Sequence, residues 1–469
     1  MQLDRLLGGV EVLDLRGDPA STEVAAITHD SRAVISGALF CCVPGAVADG
    51  HDYAADAVAA GASALLCERV LPLEITQVVV PSVRVAMARA AAAFFGHPSR
   101  RLSVVGVTGT NGKTTTTYLL AAALRADGRP TEVVGTLSGP RTTPEAPELQ
   151  ARLAALADAG TAAVSMEVSS HALAQHRVDA TWFPVGVFTN LSEEHLDFHG
   201  TLEEYFAAKA SLFSPDRVGV AVVNADDPWG RRLLSAVSVP TRPFTLADAA
   251  DLHVGPVSST FRWEGELVEL HLGGTFNVAN ALAAATAARE LGAAPTAIAA
   301  GLSSLTSVPG RFETVDAGQP FTVVVDYAHT PASLEQVLLA GRHAAATEGG
   351  RVLLVFGCGG DRDTAKRPAM GDVATRLADL AVLTSDNPRS EDPGAIIEAV
   401  RKGARRPEVL VVEPDRRAAI ALALDNARPG DVVVVAGKGH ETTQVTGASV
   451  EPFDDRAVVR AELERAGRR

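Results

Sequence analysis

The glycine-rich run Thr108-Gly109-Thr110-Asn111-Gly112-Lys113-Thr114-Thr115 carries the clearest chemistry in the sequence. It follows an apolar, β-branched stretch over residues 102–107 and precedes a helical pattern over 115–126. Glycines let backbone N–H groups close on phosphate oxygens, and a helix N-terminus favours negative charge. Lys113 would neutralise the β- and γ-phosphates of a nucleoside triphosphate, and the Thr114 hydroxyl would bind Mg²⁺. The strict G-x-x-x-x-G-K-[ST] spacing is not met, because Val107 stands at its first position, between Gly106 and Gly109. The strand before the loop and the helix after it still favour phosphate binding over a purely structural turn.

Three further features could work beside that loop. Glu167 lies near the end of the apolar run 162–168, ahead of Ser169 and His171. A carboxylate at the C-terminal end of a parallel strand sits where Mg²⁺ needs oxygen ligands, although helix capping is the plainer alternative. Within residues 189–200, His195, Asp197 and His199 have H-x-D-x-H spacing. That spacing alone suits metal ligands, a hydrolase or a helix cap. Lys209 shares a four-three-four stripe with Leu202, Phe206 and Phe213, which places it on the inward face of a helix. Buried lysines are uncommon unless paired, though a long side chain can also snorkel out.

The elements that must position these residues are legible as apolar runs alternating with helical patterns. Such runs cover 102–107, 162–168, 185–189 and 218–223, and again 321–325, 352–356, 380–383, 409–412 and 432–436. Continuous apolar strands separated by helices predict α/β architecture with parallel sheets covered on both faces. Turn-rich joints at 96–101 and 307–311 follow Ala-rich helical runs, and 469 residues fit about three domains. The expected division is residues 1–100, 101–308 and 309–469. A formal charge of −14, from 42 basic and 56 acidic residues, argues against a broad nucleic-acid or anionic-membrane surface. No signal-peptide pattern opens the chain, and no run reaches the ~20 apolar residues of a membrane span. Cys41, Cys42, Cys67 and Cys358 have no CxxC or zinc spacing and are expected to be buried small hydrophobes in a reducing cytoplasm.

The loop variant resembles the ATP loop of the Mur ligases and folylpolyglutamate synthases, which are ATP-dependent amide ligases. The rest of the chain carries the resemblance further. Phe276-Asn277-Val278-Ala279-Asn280-Ala281, Arg311 after Pro309-Gly310, and Asp326-Tyr327-Ala328-His329-Thr330-Pro331 resemble the family's nucleotide-contacting segments. Thr28-His29-Asp30-Ser31-Arg32 and residues 40–51 resemble its uridine-diphosphate-binding domain. The resemblance implies a small α/β N-terminal domain binding a UDP-sugar, a central P-loop parallel-sheet ATPase domain and a Rossmann-like C-terminal domain. It assigns ATP to Gly109, Thr110, Asn111, Gly112, Lys113, Thr114, Thr115, Asn277, Asn280, Arg311 and Asp326. Mg²⁺ falls to Thr114, Glu167, His195 and Lys209, the last as a carbamate that turns a cation into a carboxylate.

Substrate residues follow in the same way. Ser31, Thr142, Thr143, Ser169, Gln175 and Arg177 match positions that grip a UDP-muramoyl dipeptide, with Arg141 where many relatives carry Asn. Asp386-Asn387-Pro388-Arg389 reads on its own as a turn after a strand, with a planar arginine fork suited to a carboxylate. Within the family it marks the branch that adds diaminopimelate, and Arg367, Gly437 and Glu441 match other contacts of that amino acid. Thr443 stands where an aromatic is often found. The implied chemistry is amide ligation through an acyl phosphate in peptidoglycan precursor synthesis. Lys113, Glu167, His195 and Lys209 would be catalytic, in a monomeric, cytoplasmic enzyme with no nucleic-acid partner. Lysine-adding and folylpolyglutamate-type ligases are the nearest alternatives. Residues 386–389 oppose the first, and residues 30–32 oppose the second.

Overall fold

Strand order explains why the loops of interest meet. In the computed structural model, which describes residues 1–45 and 48–467, the largest sheets are two of six strands and one of five. Ala46 and Val47, inside the expected UDP-binding segment 40–51, lie outside the described residues.

The central sheet runs Thr241–Phe244, Val218–Asn224, Phe183–Phe188, Ser103–Thr108, Ala163–Glu167 and Thr131–Val134, all parallel. Ser103–Thr108 is an interior strand; its Val104, Val105 and Val107 are fully buried, each stabilising the fold by about 1.5–3 kcal/mol through apolar burial. Helices Lys113–Ala126, Thr275–Glu290 and Pro295–Ser304 cover one face, and Ala146–Asp158, Leu202–Ala210 and Pro228–Ala236 the other. The loop helix begins at Lys113, two residues before the expected start. Gly112 takes φ 86°, so the turn ends there and the next residue is already helical.

The N-terminal sheet orders Asp14–Arg16, Thr76–Val79, Ala64–Cys67, Ala38–Cys41 and Ala26–Thr28, with only the first strand antiparallel. All four cysteines are buried and unpaired, and burial raises their thiol pKa values. Helix Val83–Phe94 packs on this sheet; its N-cap Ser82 accepts from Val85 N at 3.5 Å.

The third sheet runs Glu313–Thr314, Thr322–Asp326, Val432–Ala436, Val352–Phe356, Leu380–Leu383 and Leu410–Val412. Only its first pairing is antiparallel. Because Val432–Ala436 lies between the two earlier strands, the loops leaving Asp326, Ala436, Phe356 and Leu383 stand side by side at the strand C-termini. In open α/β sheets ligands bind at that end. Two small antiparallel units complete the fold: a three-stranded sheet from Ala250–Val254, Ser259–Trp263 and Glu266–Leu270, and the hairpin Thr443–Thr446 with Ser449–Pro452. No helix among the described residues is long and apolar enough to cross a membrane.

Candidate active site

The glycine-rich loop closes where its two glycines allow it. Gly109 has φ 152°, and a Cβ there would run into Thr189 Oγ1. A Cβ on Gly112 would run into Asn280 Oδ1. Lys113 Nζ donates to Gly109 O at 2.9 Å and Thr110 O at 2.8 Å. Thr114 Oγ1 donates to Glu167 Oε1 at 3.1 Å, and that carboxylate also accepts from Thr136 N at 2.8 Å and Thr136 Oγ1 at 3.1 Å. Asn111 N donates to Asn190 Oδ1 at 2.9 Å, tying the loop to the next strand end. Asn277 and Asn280 are buried at the start of the facing helix, joined by a 3.3 Å bond from Asn280 Nδ2 to Asn277 Oδ1.

The C-terminal segment reaches this loop directly. Arg311 Nη2 donates to Thr114 Oγ1 at 3.3 Å, with its guanidinium 4.4 Å from the Tyr327 ring centroid. Buried Asp326 accepts from Phe312 N and Ala328 N, both at 2.7 Å, and so fixes the two turns that carry Arg311 and His329. Glu194 Oε1 lies 3.2 Å from His329 Nε2 and 3.8 Å from His195 Nε2. Burial acts to raise the Glu194 carboxyl, but His329, His195 and Lys113 together hold it below its ordinary value.

Lys209 is 1% exposed and does not line the cleft. Its Nζ donates to Gly109 O at 2.8 Å, the same oxygen that Lys113 uses, and lies 4.5 Å from the Tyr205 ring centroid. Burial, reinforced by the neighbouring Lys113 charge, pushes its pKa well below the ordinary lysine value.

His171, His195 and His199 form an edge-packed cluster, with His171 centred 4.7 Å from His195 and 5.5 Å from His199. Burial above all pushes the three down to about 4, with Glu194 partly opposing it at His195. The folded state therefore binds fewer protons than the unfolded state between the free-histidine value near 6.5 and about 4, so stability falls as pH drops through that window. Thermal melts should show a declining Tm from pH 6.5 to 4. The decline should be shallower in His199→Gln, and an unchanged slope would contradict this account.

The donor set fits a hard cation at one position. Thr114 Oγ1 and Glu167 Oε1 are oxygen donors beside the loop, where Mg²⁺ takes carboxylate, hydroxyl and phosphate ligands. A second position drawing on His195 and Lys209 fits only if the lysine is converted to a carboxylate, because an ammonium repels a cation. Among the described residues, no three His, Cys, Asp or Glu side chains converge to hold a metal by themselves.

One cleft of about 960 Å³ joins most of the expected site. Its lining runs from Thr110, Lys113 and Thr114 past Glu167 and His195 to Asp386, Asn387, Arg389, Gly437 and Glu441. Thr142, Thr143, Ser169, Arg141 and Arg177 also line it. Arg177 donates to Thr143 O at 3.1 Å and Gln175 Oε1 at 2.6 Å, and pairs with buried Glu145 at 2.9 Å. Five expected residues besides Lys209 stand outside the lining: Ser31, Gly109, Gln175, Arg367 and Pro388. Arg367 is buried against Glu391 Oε1 at 2.8 Å, donating also to Gly359 O. Asp30 and Arg32, flanking Ser31, pair with each other at 2.8 Å, and Asp30 is lowered to about 2 by that arginine.

Three family descriptions match in succession: "Mur ligase family, catalytic domain" over residues 23–102, "Mur ligase middle domain" over 107–288 and "Mur ligase, glutamate ligase domain" over 310–439. A Streptomyces coelicolor protein named UDP-N-acetylmuramoyl-L-alanyl-D-glutamate–2,6-diaminopimelate ligase is 47% identical, covering 97% of this chain and 95% of its own. The chain belongs to the Mur ligase family. A Solibacter usitatus protein of the same name is 46% identical over 100% of this chain and 99% of its own. A solved structure with that name superimposes on this Mur ligase with a TM-score of 0.70 at 32% identity, covering 100% and 99% of the two chains.

Two residues of this Mur ligase escaped the sequence reading. Glu194 is where His195, His329 and Lys113 converge, yet His329 belongs to the third sheet's first loop, so no local spacing announces the pairing. Lys438 lies between the assigned Gly437 and Glu441 and is fully buried, but no spacing marks it.

Proposed function

We propose that this Mur ligase uses ATP to join 2,6-diaminopimelate to the D-glutamyl γ-carboxylate of UDP-N-acetylmuramoyl-L-alanyl-D-glutamate. The observation that carries this reading is the single cleft connecting the Lys113 loop with Arg389. Its support lies in the full-length relatives named for that reaction. In this reading residues 1–100 bind the UDP-sugar, 101–308 bind ATP, and 309–469 bind the amino acid, in a monomeric cytoplasmic enzyme.

A γ-carboxylate oxygen of the dipeptide attacks the γ-phosphorus of ATP, ADP leaves, and an acyl phosphate forms. The amine nitrogen then attacks the acyl carbon, inorganic phosphate leaves, and the amine loses a proton. Both steps bring anions together, so fixed positive charge is the main requirement. Lys113 and Arg311 meet the triphosphate from opposite domains, and the loop N–H groups add backbone donors. Thr114, Glu167, His195 and carbamylated Lys209 would hold Mg²⁺, which when bound neutralises phosphate oxygens. Arg177 and Thr143 orient the dipeptide. Arg389 takes the distal carboxylate of diaminopimelate, opposite the anionic Glu441 that takes its ammonium. The His329–Glu194 contact brings the third domain over the loop, which excludes water from the acyl phosphate.

The test is ADP release from ATP with the UDP-muramoyl dipeptide while the amino acid is varied. Release should require the dipeptide and be strongly favoured by diaminopimelate over lysine. Equal turnover with the two amino acids would overturn the acceptor assignment, and dipeptide-independent release would overturn the ligase reading.

A further inference from the structure

Lys438 follows the strand Val432–Ala436 at the head of the acceptor loop, and its side chain is 0% exposed. A buried ammonium persists when its donors are satisfied. Here Nζ donates to Thr443 O at 2.6 Å and Asn387 Oδ1 at 3.2 Å, and lies 3.6 Å from Glu441 Oε2. Asn387 Oδ1 accepts a second bond from Val445 N at 2.9 Å, while Nδ2 donates to Glu441 Oε2 at 2.7 Å. An asparagine amide is nearly symmetric in shape, so only its partners decide which end faces which way. Two donors on Oδ1, one of them charged, turn the N–H₂ end toward Glu441. Lys438 thus sets the orientation of Asn387 and sits beside the Glu441 carboxylate. It also ties the loop to the hairpin strand Thr443–Thr446.

That hairpin supports the other end of the pocket. Gln444 Nε2 donates to Asp386 O at 2.8 Å, and Arg389 N donates to Val445 O at 3.0 Å. Gly437, just before Lys438, has φ 115°, and a Cβ there would approach Asp386 Oδ2 to 2.5 Å. The loop therefore packs closely against residues 386–389 at both ends, with the lysine between. Thr443 contributes its backbone carbonyl here while its side chain is exposed, so a threonine in place of an aromatic leaves this contact intact.

We propose that Lys438 is a positioning residue for the amino-acid acceptor: it acts through Asn387, which in turn holds Glu441, rather than by touching the reacting atoms. The inference rests on the ligase reading above. Its test is steady-state kinetics of Lys438→Met, with each of the three substrates varied in turn. The KM for diaminopimelate should rise about ten- to a hundredfold, the range for losing a hydrogen bond to a charged group. The KM values for ATP and the UDP-muramoyl dipeptide should stay within about twofold. Because the effect runs through Asn387, adding Lys438→Met to Asn387→Ala should change the diaminopimelate KM by less than about twofold. Lys438→Gln keeps a donor and should recover part of the loss; it replaces the methionine variant if that variant does not fold. An unchanged diaminopimelate KM, a parallel rise in all three KM values, or full additivity with Asn387→Ala would overturn the proposal. Wild type run alongside separates the two levels: if it lacks diaminopimelate-dependent ADP release, the ligase reading itself falls and this inference falls with it.

Discussion

Lys209→Ala is expected to lower kcat by about 10²–10³-fold, the scale of removing one electrostatic contact to a transition state. The reason lies in where the amine sits. It is 1% exposed, has no carboxylate within ion-pair distance among the described residues, and shares Gly109 O with Lys113. Burial and the adjacent Lys113 charge both disfavour a second ammonium, so the amine is driven toward its neutral form. A neutral amine is the form that attacks CO₂: an N–C bond forms, one proton leaves, and the product is a carbamate anion. That product places an anion, in place of an amine, beside the Lys113 ammonium and supplies oxygen donors for Mg²⁺. Small carboxylates such as acetate should restore part of the activity of the alanine variant, and wild type in ¹³C-bicarbonate should show a carbamate resonance that the variant lacks. Full activity of Lys209→Ala, or no such resonance in wild type, would contradict the assignment. Unfolding would show separately as a lost thermal transition.

Much of this site could be read from the sequence because its chemistry is local. The strand–loop–helix around Lys113 spans adjacent residues, and Glu167 ends the strand Ala163–Glu167 that pairs beside it. The stripe that placed Lys209 inward also follows from helical spacing, and Phe206 and Phe213 are buried with it. Features that depend on tertiary pairing were less accessible. The resemblance assigns Arg367 to the amino acid, but its pairing with Glu391, which follows a different strand, has no local signature. Glu194 gains its importance from His329 across a domain junction. The small sheet over Ser259–Trp263 and Glu266–Leu270 has a different reason for being overlooked. Its alternation of Phe261 and Trp263 with Val268 and Leu270 is a legible two-residue period, and its turn has positive φ at Glu264 and Gly265. Continuous apolar strands of the parallel sheets simply gave a stronger signal. The net charge of −14 likewise describes the whole chain, while Lys113, Arg177, Arg311 and Arg389 gather along one cleft against that overall balance.

Arg389 is where loss of one side chain should change which amino acid is used. Its backbone has φ 53°, a conformation that costs a non-glycine residue about 1–2 kcal/mol. The surroundings hold it there: its N–H donates to Val445 O at 3.0 Å, and its carbonyl accepts from Gly447 N at 2.6 Å. Below it, Asp361 accepts from Ser390 N at 3.1 Å, and Glu391 pairs with Arg367 at 2.8 Å, which anchors the rest of the turn. One guanidinium nitrogen, Nη1, donates to Gly360 O at 2.6 Å, which fixes the plane of the fork at the cleft wall. A planar fork held by one arm can present its other N–H groups to a carboxylate, and a lysine ammonium cannot reproduce that geometry. Arg389→Lys should therefore raise the KM for diaminopimelate about ten- to a hundredfold while leaving the ATP KM unchanged. Arg389→Ala should go further and erase the preference for diaminopimelate over lysine, because lysine has no distal carboxylate to lose. The comparison is decisive in both directions. If the two amino acids lose turnover equally, Arg389 holds a group they share, and the discrimination must come from elsewhere in the pocket.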